Sequence, residues 1–242
     1  MLVAVIGDNH GNALGLAEVV KDLRRRSPDV TVHLGDAFQG GTQPSESAAM
    51  LRDLGCQIAL GNSDNWLATA QSSEAVGGPA EEVGEWTRQQ LGEEGLNMIR
   101  GFPLTIQVDT PIGKLLCFHG SPTSFDHVLL PEIEEDEIRG HLEGTDAAIL
   151  AGGHTHIQWT RTFEGATFVN PGSAGAVYNR YMEMEEFFFY PMSEYALLHI
   201  EKDSLRIEFC HIPFDVDEFE KVCLASSRPY AANEPKRYRP PR

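Results

Sequence analysis

No stretch of the 242-residue sequence approaches the ~20 consecutive apolar residues that span a bilayer, so no membrane span is expected. The opening MLVAVIG is too short for a secretory signal, lacks a basic leader and runs straight into polar residues. Cysteine is sparse. Cys56, Cys117, Cys210 and Cys223 form no CxxC pair and show no metal-ligand spacing, which excludes a cysteine-type structural zinc site. Buried, reduced thiols in a soluble cytoplasmic protein are the expectation. Positive charge is also scarce: 19 Lys and Arg stand against 36 Asp and Glu, a formal charge of −17. Affinity for a duplex comes largely from cations that neutralise phosphates, so duplex nucleic acid is not an expected partner. Bound cations could still invert the field locally and admit a phosphorylated ligand.

What is present reads as an ordinary globular chain, 41% hydrophobic and 23% charged, long enough for one α/β domain with trimmings or two small domains. The run LVAVIG (2–7) predicts a buried strand. ALGLAEVVKDLRRR (13–26) predicts a helix whose closing arginines complement its dipole. VTVHLG (30–35), ESAAMLRDLG (46–55) and CQIALG (56–61) continue a β-α-β-α-β rhythm, the mark of parallel strands under helices. Residues 67–100 are helical in composition with a break at VGGP (76–79), and are expected as an insertion over the sheet end. Hairpins are predicted for 104–108 with 114–120, for 159–163 with 166–170, and for 195–200 with 205–212, with a Glu-rich helix over 132–143. The switch from βα to ββ predicts a mixed or antiparallel second sheet packed on the first. The expected domain covers 1–225. The Pro-rich basic tail, 226–242, holds Arg228, Lys236, Arg237, Arg239 and Arg242 against Glu234, and is expected to lack a packed core.

Several predicted strands end in Gly beside Asp, Asn or His. These are Gly7-Asp8-Asn9-His10-Gly11-Asn12, Gly35-Asp36, Gly61-Asn62, His119-Gly120 and Gly153-His154-Thr155-His156. In open α/β sheets functional groups gather at the C-terminal edges of strands, and Gly lets the backbone turn sharply there. Carboxylates with neutral imidazoles and no thiolate suit divalent Mn, Fe, Ni, Co or Zn. The two-residue spacing of Asp8/His10 and of His154/His156 could put both members on one side of an extended segment, or a turn could aim them at neighbouring metals. The donors are too many for one catalytic ion and suit two ions sharing a carboxylate. His33, inside an apolar strand, is expected as a core residue, and Trp66 as packing.

This ordered set resembles the calcineurin-like metallophosphoesterases, and FVNPGSAG (168–175) resembles their small bacterial and archaeal phosphodiesterase branch. The resemblance covers about residues 1–212. It implies an α/β (α+β) fold: two mixed β-sheets packed as a sandwich, flanked by helices, with a binuclear site at strand ends. It assigns Asp8, His10 and His156 to one metal, Asn62, His119 and His154 to the second, and Asp36 to both. It implies hydrolysis of a phosphodiester or phosphoanhydride in a small, nucleotide-like substrate by a metal-bridging hydroxide, with Mn the favoured ion.

Two departures narrow that expectation. Many relatives carry His after the metal-binding Asn and use it to protonate the leaving group; here Ser63 replaces it, and a hydroxyl is too weak an acid near neutral pH. Asp64 is the alternative acid, though in relatives it more often orients the histidine. The segment GDAFQGG (35–41) has no arginine, which argues against a protein phosphatase. A missing acid favours leaving groups that need no proton: phosphoanhydrides first, then activated or cyclic nucleotide diesters. The alternative is a non-catalytic interaction scaffold on the same fold. Asn12 and Ser173, the latter in the Asn170–Ser173 turn, are candidate phosphate donors. Tyr178, Arg180 and the FFFY run (187–190) are candidates for a lid or a homo-oligomer contact.

Overall fold

Alternation along the first strand sets the layering. In the computed structural model, which describes residues 1–70, 78–142 and 144–240, β1 (Leu2–Ile6) sends Val3 and Val5 into one apolar cluster and Ala4 and Ile6 into another. Successive side chains on a strand face opposite ways, so an unbroken apolar run marks a strand covered on both faces. β2 (Val30–His33) and β3 (Gln57–Ile58) follow β1 in parallel. Between them lie α1 (Ala13–Arg26) and α2 (Pro44–Leu54). α1 starts where the Asn12 side chain accepts the Gly15 N–H at 3.0 Å, and it stops at Ser27, whose φ of 50° turns the chain away. Its buried face, including Leu16, Val19 and Leu23, packs on the helix side of the sheet. Burying each such side chain is worth roughly 1.5–3 kcal/mol.

α3 (Asn62–Thr69) and α4 (Pro79–Arg100) complete that helical layer. The second sheet begins with the hairpin β4 (Thr105–Thr110) and β5 (Gly113–Phe118), then passes through α5 (Glu135–Leu142) to β6 (Ile149–Gly152). β7 (Gln158–Phe163) and β8 (Ala166–Pro171) form its last hairpin, and the strand order is β4-β5-β6-β8-β7. β5, β6 and β8 are parallel, with antiparallel strands at both edges. A two-stranded ribbon, β9 (Val177–Tyr178) with β10 (Phe189–Tyr190), precedes the long hairpin β11 (Met192–Glu201) and β12 (Ser204–Pro213). Val3, Val5, Val32 and Leu34 of the first sheet meet Leu115, Cys117, Ile149 and Ala151 of the second in one buried cluster. The layers are therefore helix, sheet, sheet, helix, as the α/β sandwich expectation required. No described helix is long and apolar enough to cross a membrane.

Three expectations change. The β11–β12 hairpin does not join the second sheet: β11 pairs antiparallel with β1, giving the first sheet the order β12-β11-β1-β2-β3. Which edge a hairpin chooses depends on contacts far away in sequence. The helical insertion expected over the sheet end at 67–100 packs instead on the sheet's helix face, with Leu67, Leu91, Leu96 and Ile99 in the helix-side core; residues 71–77 lie outside the described residues, as does Glu143 at the end of the Glu-rich prediction.

The segment from Ser226 is packed as well. After α6 (Val216–Ala225), residues Ala231–Tyr238 form a 3₁₀ segment. Tyr238 is buried against Phe189, Phe214 and Phe219, and its hydroxyl donates to Gly175 O at 2.5 Å. Arg239 reaches Asp217 and Glu220 of α6 at 2.7 and 2.8 Å. The tail's own composition lacks a core because its core partners come from elsewhere.

Candidate metal centre

The turns after the parallel strands carry their strain in the functional residues themselves. Asp8, His10, Asp36, His154 and His156 have φ of 54°, 47°, 54°, 68° and 55°. Left-handed backbone costs an L-residue on the order of 1–3 kcal/mol, and Asp, Asn and His tolerate it better than most. Backbone bonds hold these turns in place: Asp8 N donates to Gly35 O at 2.9 Å, His10 N to Asp36 O at 3.0 Å, and Gly153 N to His119 O at 2.8 Å. Close approach also demands glycine. A Cβ on Gly153 would stand 2.8 Å from Asp8 Oδ2, and one on Gly61 would collide with the Asp36 carboxylate.

These turns bring together the side chains the sequence assigned to two metals. Asp8, His10 and His156 form one cluster and Asp36, His119 and His154 another, with the ligand atoms of each within 4.8 Å of one another. His10 Nε2 lies 3.0 Å from His156 Nε2, and His119 Nε2 lies 3.1 Å from His154 Nδ1 and 3.0 Å from Asn62 Oδ1. Asp36 stands between the clusters, with Oδ2 3.7 Å from His10 Nε2 and Oδ1 3.5 Å from His119 Nε2. Its Oδ1 also accepts the Ser63 N–H at 3.0 Å.

The outer nitrogens decide what can sit at the centre. His10 Nδ1 faces Gln39 O, His119 Nδ1 faces Leu34 O and His156 Nδ1 faces Ala176 O, each at 2.9 Å. A carbonyl only accepts, so each Nδ1 carries the proton and each Nε2 turns a lone pair inward. Two such lone pairs 3.0 Å apart repel unless a cation lies between them. Both oxygens of Asp8 are buried with no hydrogen-bond donor. An orphaned carboxylate beside inward-facing imidazole lone pairs is a donor set that fits divalent cations.

The proton affinities agree. Burial opposes the charge on Asp8 and Asp36, but His119 and its neighbours outweigh it and hold both carboxyls below the usual range. Burial pushes His10 and His154 down, whereas His119 and His156 rise because the adjacent carboxylates outweigh burial. A cation replaces protons at such a site, so metal affinity rises with pH.

The remaining candidates divide. Asp64 is fully buried, accepts the Ala37 N–H at 3.0 Å and is pushed up to about 7 by burial and then by Asp36. Ser63 Oγ is buried without a partner. Asn12 and Ser173 are both engaged by the backbone. Asn12 caps α1 and donates to Gly175 O at 3.2 Å, while Ser173 Oγ donates to Asp8 O at 2.7 Å and accepts the Ala176 N–H at 2.8 Å. Both lock the turns that carry the ligands.

His33 is a core residue that donates to Asn9 Oδ1 at 2.9 Å and accepts the Gly35 N–H at 3.1 Å. Trp66 is packing. One neighbour of the site escaped the sequence reading: Asn9, fully buried, anchors His33 and carries no local pattern that distinguishes it. Tyr178, named from the sequence for a lid or an oligomer contact, stands in the β9–β10 ribbon with its ring 6.0 Å from that of His156.

The family model of the calcineurin-like phosphoesterase superfamily domain matches residues 1–203. An uncharacterised protein of Methanocaldococcus jannaschii is 25% identical over 173 residues, covering 71% of this chain and 69% of that protein. Among solved structures, a hypothetical protein of Pyrococcus horikoshii superposes with a TM-score of 0.79 at 17% identity, covering 96% of each chain. A metallophosphoesterase of Sphaerobacter thermophilus superposes at 0.73 with 21% identity, covering 99% of each chain.

Proposed function

Since the chain belongs to the calcineurin-like phosphoesterase superfamily, we propose that it hydrolyses phosphodiester or phosphoanhydride bonds of small, nucleotide-like substrates with two divalent ions. The observation that carries the reading is the orphaned Asp8 carboxylate facing imidazole lone pairs. Asp8, His10 and His156 would hold one ion, Asn62, His119 and His154 the other, and Asp36 both. Carboxylate and amide oxygens beside imidazole suit Mn, with Fe, Co, Ni and Zn also compatible. When bound, such ions supply Lewis acidity, acidifying water and drawing charge from the phosphoryl oxygens.

The chain's own residues do the rest. The outer N–H bonds of His10, His119 and His156 fix tautomer and aim, which raises ligand basicity and resists rotation. Asp8 and Asp36 offset part of the cationic charge inside a protein that is acidic overall. Neither residue that follows Asn62 is a strong proton donor as placed. Ser63 is a hydroxyl, and the Asp64 carboxyl is turned to the Ala37 N–H. Substrates with weakly basic leaving groups are therefore favoured, phosphoanhydrides before activated or cyclic nucleotide diesters.

A series of aryl phosphodiesters with added Mn²⁺ tests this. Rates should fall steeply as leaving-group pKa rises, and rates independent of it would contradict the missing-acid argument. Metal retention without turnover of any diester or anhydride would point instead to an interaction scaffold.

A further inference from the structure

A cavity of about 230 Å³ opens beside His10 and His156, and part of its wall is built by the C-terminal segment rather than by the sheets. Gly40, Gly41 and Gly175 leave room on one side, and Phe189 and Phe219 supply apolar surface. Its charged groups are Arg228, Glu234 and Arg237. Arg228 is 7% exposed. Its Nη1 donates to Pro229 O and its Nη2 to Glu234 Oε1, both at 3.1 Å, while Nε is buried with no acceptor. Arg237 is held more loosely. It lies 3.4 Å from both Glu234 oxygens, with its guanidinium 4.4 Å from the centre of the Phe189 ring.

Two guanidiniums against one carboxylate leave net positive charge in the cavity of a chain whose formal charge is −17. The other cations of the described tail are spent elsewhere: Arg239 on α6 and Lys236 on Asn233 Oδ1. A purely structural staple would need the Arg228–Glu234 pair alone. It would not need a second arginine on the same carboxylate, and an unpaired buried Nε–H would be a liability. An anion in the cavity uses the surplus charge.

We propose that this cavity is a phosphate subsite, in which Arg228 and Arg237 hold a second phosphate of the substrate beside the one presented to the Asp8–His10–His156 cluster. The inference rests on the hydrolase reading and sharpens it, because it selects substrates with two linked phosphates over simple diesters. The segment the sequence marks as a loose basic tail then sets specificity. Planar guanidiniums suit phosphate oxygens in pairs, and that of Arg237 lies over the Phe189 ring on one wall.

The test uses the full-length, Mn²⁺-loaded protein with Arg237→Gln, whose side chain is half exposed, and with the conservative Arg228→Lys. The ratio of kcat/KM for diadenosine tetraphosphate over bis(p-nitrophenyl) phosphate should fall by about tenfold in Arg237→Gln, as loss of a charge-assisted contact implies. An unchanged ratio overturns the subsite, whether the two activities fall together or stay level. Calorimetric titration of the metal-free protein with inorganic pyrophosphate gives a readout independent of turnover. Pyrophosphate should bind the parent and bind Arg237→Gln about tenfold more weakly, and equal binding also overturns the subsite. If neither substrate turns over but pyrophosphate binding still depends on Arg237, the hydrolase reading fails and the subsite stands.

Discussion

The two sheets bring unlike chemistry to the same point. The first contributes Asp8, Asp36 and Asn62 with a single histidine, His10, from the turns after β1, β2 and β3. The second contributes imidazole alone, His119 after β5 and His154 and His156 after β6. Neither set is sufficient by itself: the carboxylates alone would be a buried anionic cluster, and the imidazoles alone would offer no compensating charge. The centre exists only because the sandwich core sets the strand ends of both sheets side by side. Leu34 shows the coupling at one residue. It packs in the sandwich core, its carbonyl accepts from His119 Nδ1, and its Cβ lies 3.4 Å from where a Cβ on Gly153 would stand.

Asp36 stands between the clusters, so Asp36→Asn should do the greatest damage. Turnover should fall by more than the ~10–100-fold typical of changes in the surrounding shell, and metal analysis should show both ions weakened. His156→Ala, on the second sheet, should weaken only the ion near Asp8. Equal losses at the two positions would break the asymmetry between carboxylate and imidazole contributions.

Ser63→His comes next. It adds an acid on the first-sheet side without changing a metal donor, and should speed hydrolysis of diesters with poor leaving groups by roughly tenfold or more. Their dependence on leaving-group pKa should become shallower. No gain would show that proton donation does not limit these substrates.

The seam between the sheets gives a stability test. Gly153→Ala places a methyl 2.8 Å from Asp8 Oδ2. Overpacking of about 1–3 kcal/mol is expected, or several degrees of melting temperature for a chain of this size. An unshifted melt would mean the seam yields more easily than its packing implies.

The smallest effect concerns pH. Burial pushes His33 down from 6.5 to about 4, so the unfolded chain takes up its proton first. Its contribution to stability is complete above pH 6.5 and is lost as pH falls toward 4. Urea midpoints of the metal-free protein at pH 7 and pH 5 should therefore differ less in His33→Gln than in the parent.

The sequence made much of this legible because parallel strands put chemistry at predictable ends. Asp8, His10, Asp36, Asn62, His119 and His154 were singled out as candidates by standing next to a Gly after an apolar run, and His156 by its two-residue spacing from His154. The glycine pattern did not reveal that Asp8, His10, Asp36, His154 and His156 themselves adopt left-handed backbone, since Asp and His occupy several regions and only the completed turn selects one. Asn12 and Ser173 look like phosphate donors in a linear motif. In space Asn12 donates to Gly175 O while its oxygen caps α1, and Ser173 donates to the Asp8 carbonyl. The tail is the clearest case: Tyr238 is buried because Phe189, Phe214 and Phe219 meet it from outside its own segment. No window of sequence holds that cluster.

The most direct test of the central claim is a metal count by mass spectrometry on the full-length protein dialysed against Mn²⁺, paired with chelation. Two ions per chain are predicted, with hydrolysis of bis(p-nitrophenyl) phosphate abolished by chelator and restored by Mn²⁺. A chain that retains no ion, or hydrolysis that survives complete metal removal, would contradict the account.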